Sequence, residues 1–193
     1  MPDKYANFAN LSQSEPVGSF RIEIRPTGSS VVLIAPHAGK IEPGTSEICR
    51  SIAGNDLTYY LFEGCKQSGN RDLHITSSRF DEPQALAVAA GAQIIVTVHG
   101  QSGTDRFVNV GGLADELCAS IINSLVDAGF SANRQNNPML QGREPSNICN
   151  CGTSGKGVQL EISRCLRDAL VADPELLSEF TAAVRSAWMY SDV

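Results

Sequence analysis

Three residues in this chain have the types and the placement to hold a divalent metal ion: His37, Glu42 and His99. Histidines stand at 37, 74 and 99 only, and two of them directly follow apolar runs, VVLIAP before His37 and QIIVTV before His99. Glu42 shares the loop after His37 with Gly39, Pro43 and Gly44. Two imidazoles and one carboxylate are a ligand set of hydrolytic zinc sites, which keep a further position open for water. Glu161, in GVQLEIS, alternates with the apolar Val158, Leu160 and Ile162. A carboxylate in a core strand is unfavourable unless it is paired, exposed in a cleft or functional. Beside a metal-activated water it would serve as a general base and then return the proton to a leaving amine. Plainer readings stand next to these. A histidine at a strand end can simply hydrogen-bond there, and Glu161 can face outward from an ordinary strand. The matched pair of histidines, with a carboxylate in one loop, puts the metal reading level with the plain one. The role of Glu161 follows only if that reading holds.

Other polar residues are weaker candidates. His74, in LHITSSRFDEP, is an option for a third imidazole ligand but, lacking as clean a buried strand before it, reads as structural or as a neighbour supporting a ligand. Glu47 is an alternative to Glu42, but it falls in a first helical turn, where acidic residues are favoured anyway. Arg79 and Arg164 are the candidates to hold a substrate carboxylate bidentately, with Arg71, Arg106 and Arg143 as further options; each also reads as a surface charge. The stretch GTSGKG at 152–157 has the look of a phosphate loop, but its spacing fails and a strand follows it instead of a helix. Cys149-Asn-Cys151 is too close and lacks a second cysteine pair for a structural zinc site.

These residues need a scaffold that brings distant loops together. SFRIEIR alternates as a half-exposed strand, and Val31 to Ala35 is a buried strand stopped by Pro36. A helix follows from about Glu47, capped by Thr45 or Ser46. LTYYLFE is a third strand, Leu73 to Thr76 a brief extended piece, and Asp81 caps a helix running to Ala90. Gln93 to Val98 is a strand of the fully buried type. Arg106 to Val110 and Gly157 to Ser163 are further strands. Helices are expected over 112–128 and from Asp173-Pro174 onward, the last with Leu177, Phe180, Val184 and Trp188 toward the core. The loop-rich stretch 131–156 is long enough to be functional. The alternation, with no internal repeat and no linker, predicts an α/β fold: a single domain with a mixed β-sheet flanked by helices on both faces. Residues 1–17 read as a polar lead-in and 18–193 as the domain. Open α/β sheets place ligands at the carboxyl ends of their strands. If the strands before His37 and His99 are neighbours, their loops open on one edge.

The bulk properties bound the function. A chain of 193 residues supports one sizeable core. A net charge of −6 argues against nonspecific nucleic-acid binding, which needs a basic patch. No run approaches the ~20 apolar residues of a membrane span, and the polar start lacks the apolar region of an export signal. The expectation is a protein that is cytoplasmic as synthesised, released if at all by lysis, with its six cysteines as free thiols. It is expected to be a monomer or small homo-oligomer that contacts neither nucleic acid nor membrane.

Four blocks, PHAGKIEPGTSEI, LHITSSRFDEP, the strand ending VHG, and GVQLEISRCLRD, together resemble the phage-type poly-γ-glutamate hydrolase family, over about Val31 to Asp168. That group includes proteins labelled as phage-related replication proteins and looks like a compact relative of zinc carboxypeptidases. The resemblance implies one zinc ion on His37, Glu42 and His99, Glu161 as the catalytic carboxylate, and hydrolysis of γ-glutamyl amide bonds in poly-γ-glutamate. Two departures from the wider carboxypeptidase pattern stand out. Four residues separate His37 from Glu42 where two are usual, and the shorter chain does not carry over the substrate loops. The alternatives are an amidohydrolase or deacylase of small N-acyl amino acids, and a non-catalytic module that keeps the fold.

Overall fold

The structure, a computed structural model, describes residues 2–189; the first residue of the expected lead-in and the last four of the expected 18–193 domain lie outside the described residues. Seven strands form one sheet: β1 (Phe20–Arg25), β2 (Val31–Gly39), β3 (Thr58–Gly64), β4 (Ile94–Gln101), β5 (Val108–Gly112), β6 (Ala132–Arg134) and β7 (Val158–Ser163). Their spatial order is β1-β3-β2-β4-β7-β5-β6. The central run β3-β2-β4-β7 is parallel, while β1 and β5 join it antiparallel, so the sheet is mixed. After β2 the chain turns to one side to make β3, then crosses to the other side to make β4. The carboxyl ends of β2 and β4 therefore flank a crevice, the place where open sheets of this kind bind ligands.

Helices α1 (Phe8–Ser14), α2 (Thr45–Ala53), α3 (Pro83–Ala90), α4 (Asp115–Asp127), α5 (Arg164–Ala172) and α6 (Pro174–Met189) cover both faces. One core joins alternate sheet residues to Ile48 of α2, Leu117 of α4, Leu166 of α5 and Phe180 of α6. The second lies across the sheet and joins Ile34, Tyr60 and Ile95 to Leu11 of α1 and Ala85 of α3. The stretch read as a polar lead-in thus folds against the sheet, with Leu11 fully buried. Its polarity is that of a short helix that shows only Phe8 and Leu11 to the core, Phe8 edge-on to Phe20 and Phe62.

Several local expectations are corrected. Pro36 does not stop β2; the strand runs on through His37 to Gly39. Against β3, Ala35 pairs with Leu61 and Ala38 with Glu63, so β2 carries one extra residue at Pro36-His37. That bulge has a consequence for the chemistry. Val31, Leu33 and Ala35 face the first core, and so does Ala38. Without the extra residue His37 would point into that core; with it, His37 turns to the opposite face. Helix α2 starts behind Gly44 with no side-chain cap, because the Ser46 hydroxyl accepts the Gly39 N–H at 2.9 Å instead. Glu82, not Asp81, caps α3, accepting the Ala85 N–H at 2.8 Å. Asn70–Leu73 forms a tight helical turn, so the extended piece expected from Leu73 to Thr76 begins only at His74. Helix α5, between the last strand and Asp173, was not expected at all.

Candidate metal centre

His37 and Glu42 come from the end of β2 and its loop, and His99 from the end of β4. His37 Nδ1 lies 3.2 Å from His99 Nδ1 and 3.5 Å from Glu42 Oε1, and His99 Nδ1 lies 3.9 Å from Glu42 Oε2. All three residues are brought together, with one donor atom each within 4.8 Å of the others. The ring of His37 is pinned: its Nε2 donates to the Ile75 carbonyl at 2.8 Å. With the Nε2 N–H given to Ile75, Nδ1 is the nitrogen turned toward His99 and Glu42. Burial first, and then the neighbouring His37, push His99 down to about 3, so it is neutral near pH 7. Burial raises the Glu42 carboxyl, but His37, His99 and the Gly100 N–H outweigh it and hold it below the ordinary carboxylate range. Two imidazoles and a carboxylate are thus crowded together away from water, an arrangement that asks for a cation between them. A tetrahedral site with metal–ligand bonds of about 2.0–2.1 Å places its ligand atoms about 3.3 Å apart. The three observed separations bracket that spacing, so the residues fit a divalent ion.

The sheet register brings Glu161 to the same place. His99 pairs with Glu161 across the β4–β7 ladder, so both side chains leave the same face of neighbouring strands. Glu161 is 5% exposed, and its partners in the strand, Gln159 and Ser163, are buried as well. The plain reading of an outward-facing glutamate therefore fails. Glu161 accepts a hydrogen bond from Gln159 Nε2 at 2.9 Å, and Gln159 Oε1 in turn accepts from Asn147 Nδ2 at 3.0 Å. The long loop 131–156 is thereby tied to the carboxylate it helps to enclose. Burial first, then the Glu42 carboxylate, push the Glu161 carboxyl well above its ordinary value.

A cleft of about 1000 Å³ opens over these groups. Arg164 lines it and holds Asp168 at 2.7 Å. Arg143 lines it too and is paired with Asp115 at 2.7 Å. Arg79 lies outside the cleft lining, with its guanidinium 2.7 Å from Asp3. Arg71 lines the cleft, and its guanidinium has no acidic partner among the described residues. Arg106 belongs to a separate depression beside β5 and β6. His74 is no third ligand: it stacks on His37 with ring centroids 3.9 Å apart.

Sequence reasoning missed Arg167. It lies on α5 and is 4% exposed, with Nε donating to the Pro43 carbonyl at 2.8 Å and Nη1 donating to the carbonyls of Ile162 and Gln101. It joins the Glu42 loop to the ends of β4 and β7. Gly100 is a glycine partly for this reason, since a Cβ there would meet the Arg167 guanidinium. A charge on the apolar side of Leu166 and Leu170 was the available signal, but it needed α5 to be read first. Arg167→Lys keeps a charge but cannot reach three carbonyls in one plane. It should destabilise the protein by about 2–3 kcal/mol through orphaned buried carbonyls and weaken metal retention. Thermal melts and metal analysis check both; a lysine variant that melts and loads like the parent would remove the brace.

The model for the poly-gamma-glutamate hydrolase family matches residues 5–186. The SPbeta prophage-derived protein YoqZ of Bacillus subtilis is 38% identical over 185 residues, which is 95% of this chain and 65% of YoqZ. The chain therefore spans about two thirds of the length of that relative. A bacteriophage poly-gamma-glutamate hydrolase structure superposes with a TM-score of 0.92 at 33% identity, covering 97% of each chain. The apo, zinc-free structure of YndL, a Bacillus subtilis protein, gives 0.93 at 34% identity, covering 100% of each. The compact carboxypeptidase-like α/β domain expected from the motifs is the fold that the chain adopts.

Proposed function

The chain belongs to the poly-gamma-glutamate hydrolase family, and from that premise we propose that it hydrolyses the γ-glutamyl amide bonds of poly-γ-glutamate with one zinc ion on His37, Glu42 and His99. The observation that carries this reading is the convergence of those three donor atoms on the face that Glu161 also occupies. The zinc-free form of YndL supports zinc as the ion. When bound, the ion supplies Lewis-acid polarisation of a carbonyl and of the attacking water. Glu161 takes the proton of that water and delivers it to the leaving nitrogen. Its raised affinity for a proton suits both halves of the task. His37 is held in orientation by Ile75, and Glu42 by the Gly100 N–H at 2.7 Å. The substrate is a polyanion and the chain is itself acidic, so cations at the cleft must offset the repulsion. Arg71 and Arg164, which both line the cleft, would do that work, Arg71 with a guanidinium that has no acidic partner among the described residues.

The test uses the purified protein. It should contain about one zinc per chain, shorten poly-γ-glutamate with release of new amino groups, and lose that activity to a chelator. Activity confined to small N-acyl amino acids would favour the deacylase alternative. A protein without zinc that chelators leave unchanged would favour a non-catalytic module.

A further inference from the structure

The geometry points to Asp3 as a positioning residue that aims His74 at the substrate, with His74 Nε2 accepting a hydrogen bond from an amide N–H of the polymer. This rests on the hydrolase reading above. Asp3 is 71 residues from His74 in sequence, yet its carboxylate, 3% exposed, accepts three hydrogen bonds from one segment of the cleft wall. His74 Nδ1 donates to Oδ1, and the Thr76 N–H and the Arg79 guanidinium donate to Oδ2, all at 2.7 Å. A carboxylate so enclosed is held by charge-assisted bonds, the strong class. The backbone after it is anchored independently. Tyr5 donates to Glu15 at 2.6 Å, the Phe8 N–H donates to Asp81 at 2.6 Å, and Leu11 is buried in the second core.

The consequence falls on the ring. With Nδ1–H given to Asp3, the neutral tautomer leaves Nε2 as an acceptor. His74 lines the cleft, and its Nε2 has no protein partner among the described residues. His74 is only partly buried, its side chain 15% exposed, so the nitrogen that the protein leaves without a partner is the one turned to the open cleft, where a substrate can reach it. The ring stacks on His37, so the acceptor sits beside the metal ligands, where the scissile amide must lie. The same segment holds His37 through the Ile75 carbonyl, which gives the Asp3 brace a second point of leverage.

The test uses the zinc-loaded protein and has two readouts. Histidine-labelled protein gives only three imidazole spin systems, and long-range proton–nitrogen correlation reports each tautomer. Nδ1 of His74 should carry the proton and Nε2 should not, and Asp3→Asn should disturb that signal. In kinetics, Asp3→Asn and His74→Gln should each lower kcat/KM about 10–100-fold with zinc retained, and the double variant should be no worse than His74→Gln alone. Lys4→Gln, which alters the neighbouring exposed contact to Asp72, should leave activity unchanged. A proton on Nε2 with Nδ1 bare, or losses that multiply in the double variant, would overturn the proposal. If Asp3→Asn fails to fold, the tautomer of the parent and the loss in His74→Gln still decide it. A parent protein that does not cleave the polymer sinks the hydrolase reading instead, and the tautomer readout still tests the Asp3–His74 pair.

Discussion

Glu161→Gln should lower kcat by about 10²–10⁴-fold, the range contributed by a positioned general base, while zinc content stays that of the parent. The substitution is conservative in shape. The glutamine carbonyl can still accept the Gln159 Nε2 hydrogen bond that orients the side chain at 2.9 Å, so the loop 131–156 keeps its tie. None of the three metal-binding side chains is touched. What is removed is the ability to take a proton from water and hand it to the departing amine. Stability should move the other way. Burial and the Glu42 carboxylate raise the folded-state pKa of Glu161 above its unfolded value. Its contribution to stability is therefore full below the unfolded pKa and is lost as pH rises through the folded one. At pH 8 the metal-free glutamine variant, which has no charge to desolvate, should melt above the parent by roughly 2–4 °C for each ~1 kcal/mol relieved, and the gap should close toward acid pH. Catalytic residues commonly oppose stability in this way. Retained turnover, or a glutamine variant that melts lower at pH 8, would remove Glu161 from the role of base.

How much of this was legible in the amino-acid sequence depends on the range of the interaction concerned. Apolar runs such as LTYYLFE and QIIVTV report burial directly, and each forms a sheet strand at the position read. The two candidate metal-binding histidines were visible because a histidine after a buried run is at a strand end by local pattern alone. The bulge at Pro36-His37 was not visible. Proline reads as a stop, and whether the chain resumes pairing afterwards depends on β3, which lies beyond the intervening helix. The face of Glu161 was ambiguous for a similar reason. Period-two alternation shows that one side of β7 is polar, but only the loop 131–156 folding over it decides that the polar side is enclosed. Asp3 and Arg167 were illegible for the opposite reason to the histidines. Each is common on surfaces, and each matters through partners more than 60 residues away.

His99→Ala should abolish zinc binding and lower activity by about 10³-fold or more, since Lewis-acid stabilisation is worth several kcal/mol. Among the metal-binding side chains His99 is the cleanest to remove. His37 also holds the Ile75 carbonyl and stacks on His74, and Glu42 also accepts the Gly100 N–H, so changes at either disturb the scaffold. The other nitrogen of His99 only reaches the Ser77 hydroxyl at 3.5 Å. Linkage separates loss of metal from loss of fold. A ligand that binds only the native state stabilises it in proportion to the logarithm of its concentration over Kd. Adding zinc to the metal-free parent should therefore raise its Tm, and adding zinc to His99→Ala should not. Without metal the variant also loses the hydrogen bond between His99 Nδ1 and His37 Nδ1 at 3.2 Å, which adds to the cavity it creates, so the metal-free variant should melt below the metal-free parent as a buried large-to-small change of several kcal/mol would suggest. A His99→Ala protein that still holds one zinc per chain and still shortens the polymer would show that the convergence of these three side chains is not the centre of the chemistry.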